Sequence, residues 1–407
     1  MKNSHHKLPI IGLISAEAIS AIGNQIAAVA IPILVLEYTH SPIATGIANI
    51  GNILPIFLAA LIGGKAIDKF SARTLSILSD ILSFLSVLAL PLVFLLFREV
   101  SPLWIFALVF LGALFDPTGS AARQTLVAGL SERAHESLEK INTIRGGLEN
   151  GADFIGPILG VALISLIGTT NTFYVNAASF LLCALIFLLV IPRNQHVMIE
   201  KEENTGFLPG LKFILRNAQL RTLISVGMAI NFVILPFLGL LLPVLTTEIL
   251  HQPALLGFAV SIFGGGATIG AFSFSKLNAR FSRSFIYYGG LLLTGTSIFL
   301  LGITTNPVLI VILAGFAGLL LGAGNPLEQT VLQEQTPPHI MGQVFTVFTA
   351  SRFAIGPIGL LLAGFGTEWG NVHLMFIISG VILLITALLG WIFSPVQKIA
   401  PISTTGR

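Results

Sequence analysis

Charged side chains are scarce in this chain of 407 residues. Asp, Glu, Lys and Arg together make up 10% of it, against roughly 25% in soluble domains. The hydrophobic residues reach 54%, and the mean hydropathy is +0.92. A soluble fold with this composition could not cover its surface with polar groups. The scarcity therefore excludes a soluble protein and indicates an integral membrane protein.

Other absences exclude whole classes of site. The only cysteine, Cys183, excludes a disulfide framework and a cysteine metal site. A net charge of +3, carried by scattered residues, gives no basic patch for nucleic acid. The sequence has no phosphate-binding G-x-x-x-x-G-K loop, no recognisable Ser/His/Asp arrangement and no metal set among its eight histidines. We therefore expect no enzyme activity, no cofactor, no metal and no nucleic-acid partner.

Long apolar runs fill most of the chain. A helix needs about 20 apolar residues to cross a bilayer, and such runs predict an all-α membrane protein with twelve transmembrane helices. The predicted spans are 9–36, 42–63, 74–97, 103–122, 138–167, 171–191, 219–245, 253–275, 284–303, 307–331, 340–366 and 373–393. Glycine-rich stretches inside spans eight and ten are expected to allow close helix approach.

Proline motifs recur at equivalent places in two halves of the chain. Phe115-Asp116-Pro117 ends span four and Gly324-Asn325-Pro326 lies in span ten, while Gly156-Pro157 in span five corresponds to Gly356-Pro357 in span eleven. The longest polar stretch lies between spans six and seven. The repeat predicts two six-helix halves, an arrangement found in carriers that work by alternating access. The expected boundaries are 1–191 for the first half, 192–218 for a cytoplasmic linker and 219–407 for the second half.

The positions of Lys and Arg predict the orientation. With the amino terminus inside, all basic residues except Arg98 and Arg352 fall in or beside cytoplasmic segments. Arg123 is one of the residues assigned to a cytoplasmic segment. The sequence therefore predicts a multi-pass protein of the cytoplasmic (inner) membrane with both termini in the cytoplasm. We expect the protein to be a monomer embedded in the lipid bilayer.

The loop after span two, GKAIDKFSAR, contains the most specific motif of the chain. It resembles the G-x-x-x-D-[RK]-x-G-x-[RK] signature of the major facilitator superfamily, with Gly64, Asp68, Lys69 and Arg73 in place and Ser71 where the second Gly usually stands. The resemblance implies a twelve-helix transporter in which this loop stabilises one conformation. Asp68 could do so by facing a helix N-terminus. A plain positive-inside loop remains the alternative reading.

Within that superfamily, span one (SAIGNQIAAVAIPILVL) is similar to the branch of macrolide-efflux and siderophore-export proteins. Pro117 at the end of span four and Gly156-Pro157 in a G-P-x-x-G pattern in span five fit the same branch. The resemblance implies an antiporter that exports small molecules. Lysophospholipid transporters share much of the pattern. The arginine that drug/proton antiporters commonly carry early in span four is missing here.

Several polar side chains are predicted at membrane depth, where an ionisable group costs at least about 2.5–3.5 kcal/mol. Glu17, Asn24 and Gln25 in span one and Asn231 in span seven are candidates for a substrate cavity. Packing hydrogen bonds between helices are the alternative for them. Arg352 in span eleven could bind an anionic group or neutralise a buried acid, and Glu328 is a possible partner. Asp80, near the start of span three, is expected to pair with the basic groups around Arg73.

Span five contains the candidate proton-coupling group. Arg145, Glu149 and Asp153 are spaced four residues apart and share one helix face, and Asp116 is expected at a similar depth on span four. Acids crowded near one cation repel each other, which favours protonation of at least one. The alternative is an ion-pair network that only fastens the two helices.

These features predict a secondary transporter. The favoured function is proton-coupled export of a small amphipathic molecule, such as a drug or a siderophore, by alternating access. A lipid-type carrier, for example of lysophospholipid, is the alternative, and a non-transporting membrane scaffold is the weaker one. The substrate and protons are then the expected small partners.

Overall fold

A computed structural model describes residues 2–69, 71–97, 101–136, 138–192, 207–337 and 340–393. Every regular element in these ranges is helical. The chain forms two compact units, Met1–Glu203 and Asn204–Arg407. Most of the segment between Pro192 and Phe207 lies outside the described residues.

The described part of the first unit consists of seven helices. Helix α1 packs along α6 and α7, α3 packs on α7 and α5, and α2 packs on α4. Their bounds are Lys2–Thr39 (α1), Pro42–Lys69 (α2), Ala72–Leu96 (α3), Pro102–Leu114 (α4), Asp116–Arg133 (α5), Leu138–Ile167 (α6) and Thr169–Val190 (α7).

The described part of the second unit begins with a short amphipathic helix, α8, and continues through eight further α-helices. Three π-helical segments interrupt the regular pattern, at Phe237–Leu241, Val244–Ile249 and Phe285–Gly289. The α-helices are Phe207–Arg216 (α8), Ala218–Pro236 (α9), Pro253–Asn278 (α10), Gly290–Leu301 (α11), Pro307–Gly322 (α12), Gly324–Gln335 (α13), Met341–Phe353 (α14), Gly356–Trp369 (α15) and Val372–Phe393 (α16).

The predicted membrane spans are present as helices. Ten of the described helical stretches are long and apolar enough to cross a membrane, and Phe285–Leu301 is a shorter apolar helix at the ninth predicted span. The second predicted span lies within α2. The all-α membrane fold predicted from the sequence is confirmed.

Three predicted spans are interrupted where the repeated proline motifs lie, and span eleven is one of them, divided at residues 354–355 into α14 and α15. Span four divides at Phe115 into α4 and α5, and Pro117 occupies the first turn of α5. Span ten divides at Ala323 into α12 and α13. Proline fits the first turn of a helix because its missing N–H would have no partner there. In each unit, the proline motif therefore starts a new helical segment.

Close helix approach in the second unit occurs at glycines, as expected. A Cβ atom added at Gly266 would collide with backbone atoms of α12, and one added at Gly318 or Gly322 would collide with the backbone of α10. Small residues at such contacts let backbones pack at short distance. The prediction that these glycines serve packing is confirmed.

Candidate functional site: a polar cavity in each unit

The first unit contains a partly open cavity of about 270 Å³. Most of its wall is apolar, with Phe173 and Phe180 of α7 among the lining residues. Polar groups enter from α1, where Asn24 and Gln25 lie one residue apart, and from the α5 end, where Asp116 reaches the wall. A mostly apolar cavity with a few polar groups is typical of sites for small organic ligands.

A group of three charged side chains, the Arg123 cluster, lies behind this cavity. Arg123 of α5 donates through Nη1 to Asp80 Oδ1 of α3 at 2.8 Å and through Nη2 to Asp116 Oδ1 at 3.3 Å. Asp80 and Arg123 are each 1% exposed, whereas the Asp116 side chain is 20% exposed. Asp116 therefore connects two fully buried charges to the cavity wall.

Helix α1 holds the exposed end of the cluster. Asn24 donates through Nδ2 to Asp116 Oδ2 at 2.8 Å, and Ser20 donates to Asp116 Oδ1 at 3.3 Å. These bonds join α1 to α5 through a single carboxylate. Any change in the charge of Asp116 must therefore change a contact between the two helices.

The Arg123 cluster carries more negative than positive charge. Two ionised carboxylates share one guanidinium, so the cluster has a formal charge of −1. Asp80 Oδ2 and Arg123 Nε are buried and have no partner among the described residues. An incompletely compensated charge inside a low-dielectric region is costly. Binding a single proton would bring this cluster to neutrality.

Two sequence-based expectations about these residues were wrong. Arg123 was counted in a cytoplasmic segment, but it is buried in α5 and belongs to the fourth apolar span. Asp80 was expected to pair with the basic groups around Arg73, but its partner is Arg123. Arg73 instead donates to the carbonyl oxygens of Leu188 and Ile191, each at 2.7 Å, at the end of α7. Basic side chains commonly satisfy the last carbonyls of a helix in this way.

One feature of the sequence could have identified Arg123 as a site residue. It lies seven residues after Asp116, which is two turns along the same face of one helix. The segment Asp116–Arg133 is polar enough in composition to resemble a loop. For that reason the seven-residue spacing of Asp116 and Arg123 was not recognised as a shared helix face.

The predicted proton-coupling group of span five has different partners. Arg145 forms a two-bond ion pair with Glu17 of α1, at 2.6 and 2.7 Å. Asp153 accepts a hydrogen bond of 2.5 Å from Gln25. Glu149 is exposed and lies within electrostatic range of both Arg145 and Asp153. Asp116 lies with Arg123 rather than with these residues, so the acids form two groups and not one.

Glycines in the span-five motif bring α6 against α1. A Cβ atom at Gly156 would overlap the side chain of Gln25, and one at Gly160 would press on the backbone of Ile26. Gly156 and Pro157 are both buried. The G-P-x-x-G pattern therefore produces the close contact that places Gln25 beside Asp153.

The signature loop is described only in part. The backbone of α2 is helical to Lys69, but the surroundings of Gly64 and the side chains of Asp68 and Lys69 lie outside what the structure describes. Ser71, which departs from the usual glycine, is the N-cap of α3, and its side chain accepts a hydrogen bond from Thr74 N at 3.2 Å. Serine is among the preferred N-cap residues. The departure at Ser71 thus provides a cap for α3.

The second unit contains its own partly open cavity, of about 240 Å³. Asn231 of α9 and Arg352 of α14 both line it, as does Glu328 of α13. Arg352 donates through Nη1 to Glu328 Oε2, which confirms Glu328 as the suggested partner. Tyr287, which was not among the predicted site residues, donates to Glu328 Oε1 at 2.5 Å. Here one acid balances one cation, so this cluster is formally neutral.

Comparisons with known proteins agree with this architecture. The family model described as Major Facilitator Superfamily matches residues 13–251 and 225–406. The multidrug efflux pump Tap of Mycolicibacterium fortuitum is 29% identical over 377 residues, which cover 91% of each chain. The enterobactin exporter EntS of Shigella flexneri is 25% identical over 350 residues, covering 86% of this chain and 82% of the exporter. The crystal structure of the nucleoside transporter NupG has a similar fold, with a TM-score of 0.77 at 13% identity over 94% of this chain and 98% of that one.

Proposed function

The chain belongs to the major facilitator superfamily, and from that membership we propose that it exports a small amphipathic molecule in exchange for protons. Two relatives that match most of its length are named as exporters, one of multiple drugs and one of a siderophore. The apolar cavities with few polar groups suit an amphipathic substrate. The multi-pass fold then functions as a secondary transporter of the cytoplasmic membrane.

The charge imbalance of the Arg123 cluster is the observation that carries the proposed coupling to protons. A carrier driven by protons needs a group whose charge changes during the transport cycle. Two carboxylates on one buried guanidinium provide such a group, because one proton neutralises the excess charge. Asp116 is the proposed proton acceptor, since it is the acid of the cluster that reaches the cavity.

Protonation of Asp116 would weaken the contact between α1 and α5. The ionised carboxylate accepts from Ser20, Asn24 and Arg123. Hydrogen bonds to a charged acceptor are stronger than those to a neutral one. A proton on Asp116 therefore loosens three bonds at once, and Arg123 retains Asp80 as its counter-ion.

Asp153 and Glu149 form a proposed second proton-responsive pair on α6. Asp153 is half-buried beside Gln25, with Glu149 one turn away and Arg145 one turn beyond Glu149. Because Arg145 is already paired with Glu17, it compensates these acids only in part. Their role is to bind a proton when the acids of α6 cannot both remain ionised.

The test is gradient-driven transport in sealed vesicles that contain the purified protein. A panel of amphipathic drugs identifies a substrate under an imposed pH gradient. Asp116→Asn should abolish the response to the gradient while downhill exchange of the substrate continues. Asp153→Asn and Glu149→Gln should flatten the response partly. The control is Glu37→Gln, an acid of α1 that accepts from Thr169 and lies outside both cavities.

Unchanged gradient-driven transport by Asp116→Asn would show that the Arg123 cluster does not couple to protons. A wild-type protein that moves no substrate in either direction, although it is folded, would contradict the export function itself.

The proposed orientation places both termini and the 192–218 linker in the cytoplasm. With this orientation, nearly all Lys and Arg residues lie in or beside cytoplasmic segments, as membrane proteins favour. This remains true when Arg123 is no longer counted among the cytoplasmic residues. Single cysteines introduced as Glu202→Cys and Glu99→Cys, in a Cys183→Ala background, are treated on intact cells with an impermeant thiol reagent. We expect labelling at position 99 and none at 202, and the reverse pattern would contradict this orientation.

A further inference from the structure

Arg352 retains unused hydrogen-bond donors at the wall of the second-unit cavity. Its Nη1 donates to Glu328, but Nε is buried and has no partner in the described part of the chain. No hydrogen bond from Nη2 is found there either. The side chain is 17% exposed and lines the cavity. A guanidinium has five N–H donors; because Nε is buried, the donors that a ligand can reach are the Nη groups that Glu328 does not use.

Packing holds this guanidinium in one place. Gly227 of α9 lies directly beneath it, and even a Cβ atom there would collide with the Arg352 side chain. The ring of Phe348 lies 5.5 Å from the guanidinium carbon on another side. Glu328 is 2% exposed and is itself held by Tyr287. A donor fixed in this way does not have to be ordered when a ligand binds.

The remainder of the cavity is suited to the apolar part of a ligand. The apolar lining residues include Ile230, Ile234, Phe263, Leu291 and Leu320. A ligand that fits this environment has an apolar skeleton and carries an acceptor group where it meets the guanidinium.

The charge balance of the cavity determines which kind of hydrogen-bond acceptor on a ligand it can bind. Glu328 faces two polar partners, Arg352 from α14 and Tyr287 from the π-helical segment, and Tyr288 follows in that segment. The other cavity-lining residues are uncharged. Glu328 therefore already neutralises Arg352, and a ligand carboxylate would add an uncompensated negative charge. A neutral carbonyl oxygen accepts the same N–H donors without that cost.

We propose that the second-unit cavity binds the carbonyl group of an uncharged ligand with an apolar skeleton through Arg352, and that Glu328 excludes carboxylates by balancing the charge of Arg352. This inference rests on the proposed function, because the ligand is taken to be the exported molecule. Arg352 is then the donor that touches the substrate, and Glu328 determines specificity through charge.

A matched acid and ester test the proposal. Coumarin-3-carboxylic acid and its ethyl ester share one skeleton and differ in charge, and their binding to the purified full-length protein in detergent is measured by fluorescence. The wild-type protein should bind the ester at least about tenfold more tightly than the acid. Glu328→Gln should reverse the preference, because the cavity then carries an unbalanced positive charge. Arg352→Met should weaken ester binding about tenfold or more.

The matched control is Glu334→Gln. Glu334 is an acid of the same helix that pairs with Arg283 at 2.6 and 2.9 Å and does not line the cavity. It should leave the preference for the ester unchanged. Thermal unfolding of each variant identifies any loss of fold. If Arg352→Met unfolds, it is replaced by Arg352→Lys, which keeps the charge and loses the planar donor pair.

Equal binding of the two probes to the wild-type protein, binding of neither, or an unchanged preference in Glu328→Gln would each overturn the inference. None of these outcomes depends on a proton gradient. Gradient-driven export could persist in every case, so failure of this inference is distinguishable from failure of the proposed function.

Discussion

Removing the guanidinium of the Arg123 cluster should be the most damaging single change in the first unit. Arg123→Met keeps an unbranched side chain of similar length but leaves Asp80 and Asp116 facing each other without a cation. Asp80 is 1% exposed and loses a 2.8 Å ion pair. Breaking a buried pair by removing one partner costs about 3–5 kcal/mol of unfolding free energy. Asp116 contributes less, since it keeps its bonds to Ser20 and Asn24.

The same reasoning predicts rescue by a second change. Asp80→Asn removes the buried acid that Arg123→Met leaves unpaired, so the double variant should be more stable than Arg123→Met by about 2 kcal/mol or more. Asp80→Asn alone should cost only about 1–3 kcal/mol, because Arg123 still pairs with Asp116. The control is Arg133→Met at the exposed end of the same helix, which should stay within about 0.5 kcal/mol of wild type.

Unfolding in mixed detergent and SDS micelles, followed by circular dichroism, measures these differences. The double-variant cycle gives the coupling energy of Arg123 with Asp80. Arg123→Met as stable as Arg133→Met would refute the assignment of a buried, charge-compensating arginine. A double variant no more stable than Arg123→Met would refute the claim that the unpaired charge of Asp80 causes the loss.

Two further predictions concern α6, and both use the same unfolding assay. Gly156→Ala should cost about 1–3 kcal/mol, because the added methyl overlaps a side chain of α1. Gly147→Ala in the same helix meets nothing within 4 Å and should gain up to about 1 kcal/mol from helix propensity, so equal effects at both positions would contradict the close contact. Glu17→Gln should cost about 1–3 kcal/mol by leaving Arg145 without its ionised partner. If a double-mutant cycle of Glu17→Gln and Arg145→Gln gives no coupling energy, the ion pair does not contribute to stability.

The class of protein and its helices could be read from the amino-acid sequence. In a bilayer, each spanning segment must satisfy its own backbone hydrogen bonds, so a long apolar run has to form a helix whatever surrounds it. Local chemistry also determined where some helices begin, as with Pro117 at the start of α5 and Asn306, whose side chain accepts from the N–H groups of Val308 and Leu309. These features depend on neighbours in the chain, which the sequence displays directly.

The pairing of the polar groups could be read only in part. Glu328, near the inner end of predicted span ten, was named as one possible partner of Arg352 in the middle of span eleven, and the two side chains do pair. The spacing of Arg145 and Asp153 placed them correctly on one helix, but their partners Glu17 and Gln25 lie 128 residues away in α1. The spacing within a helix does not say which other helix will cover that face.

Only the tertiary structure decided the partners of Asp80 and Arg123. Both were assigned from the sequence to the cytoplasmic edge, because Asp80 lies near Arg73 in the chain and because predicted span four ends at residue 122, just before Arg123. Packing of α3 against α5 buries both side chains together instead. A buried charge binds whichever opposite charge the packing brings within hydrogen-bond distance, and that distance is set by contacts between helices far apart in the sequence.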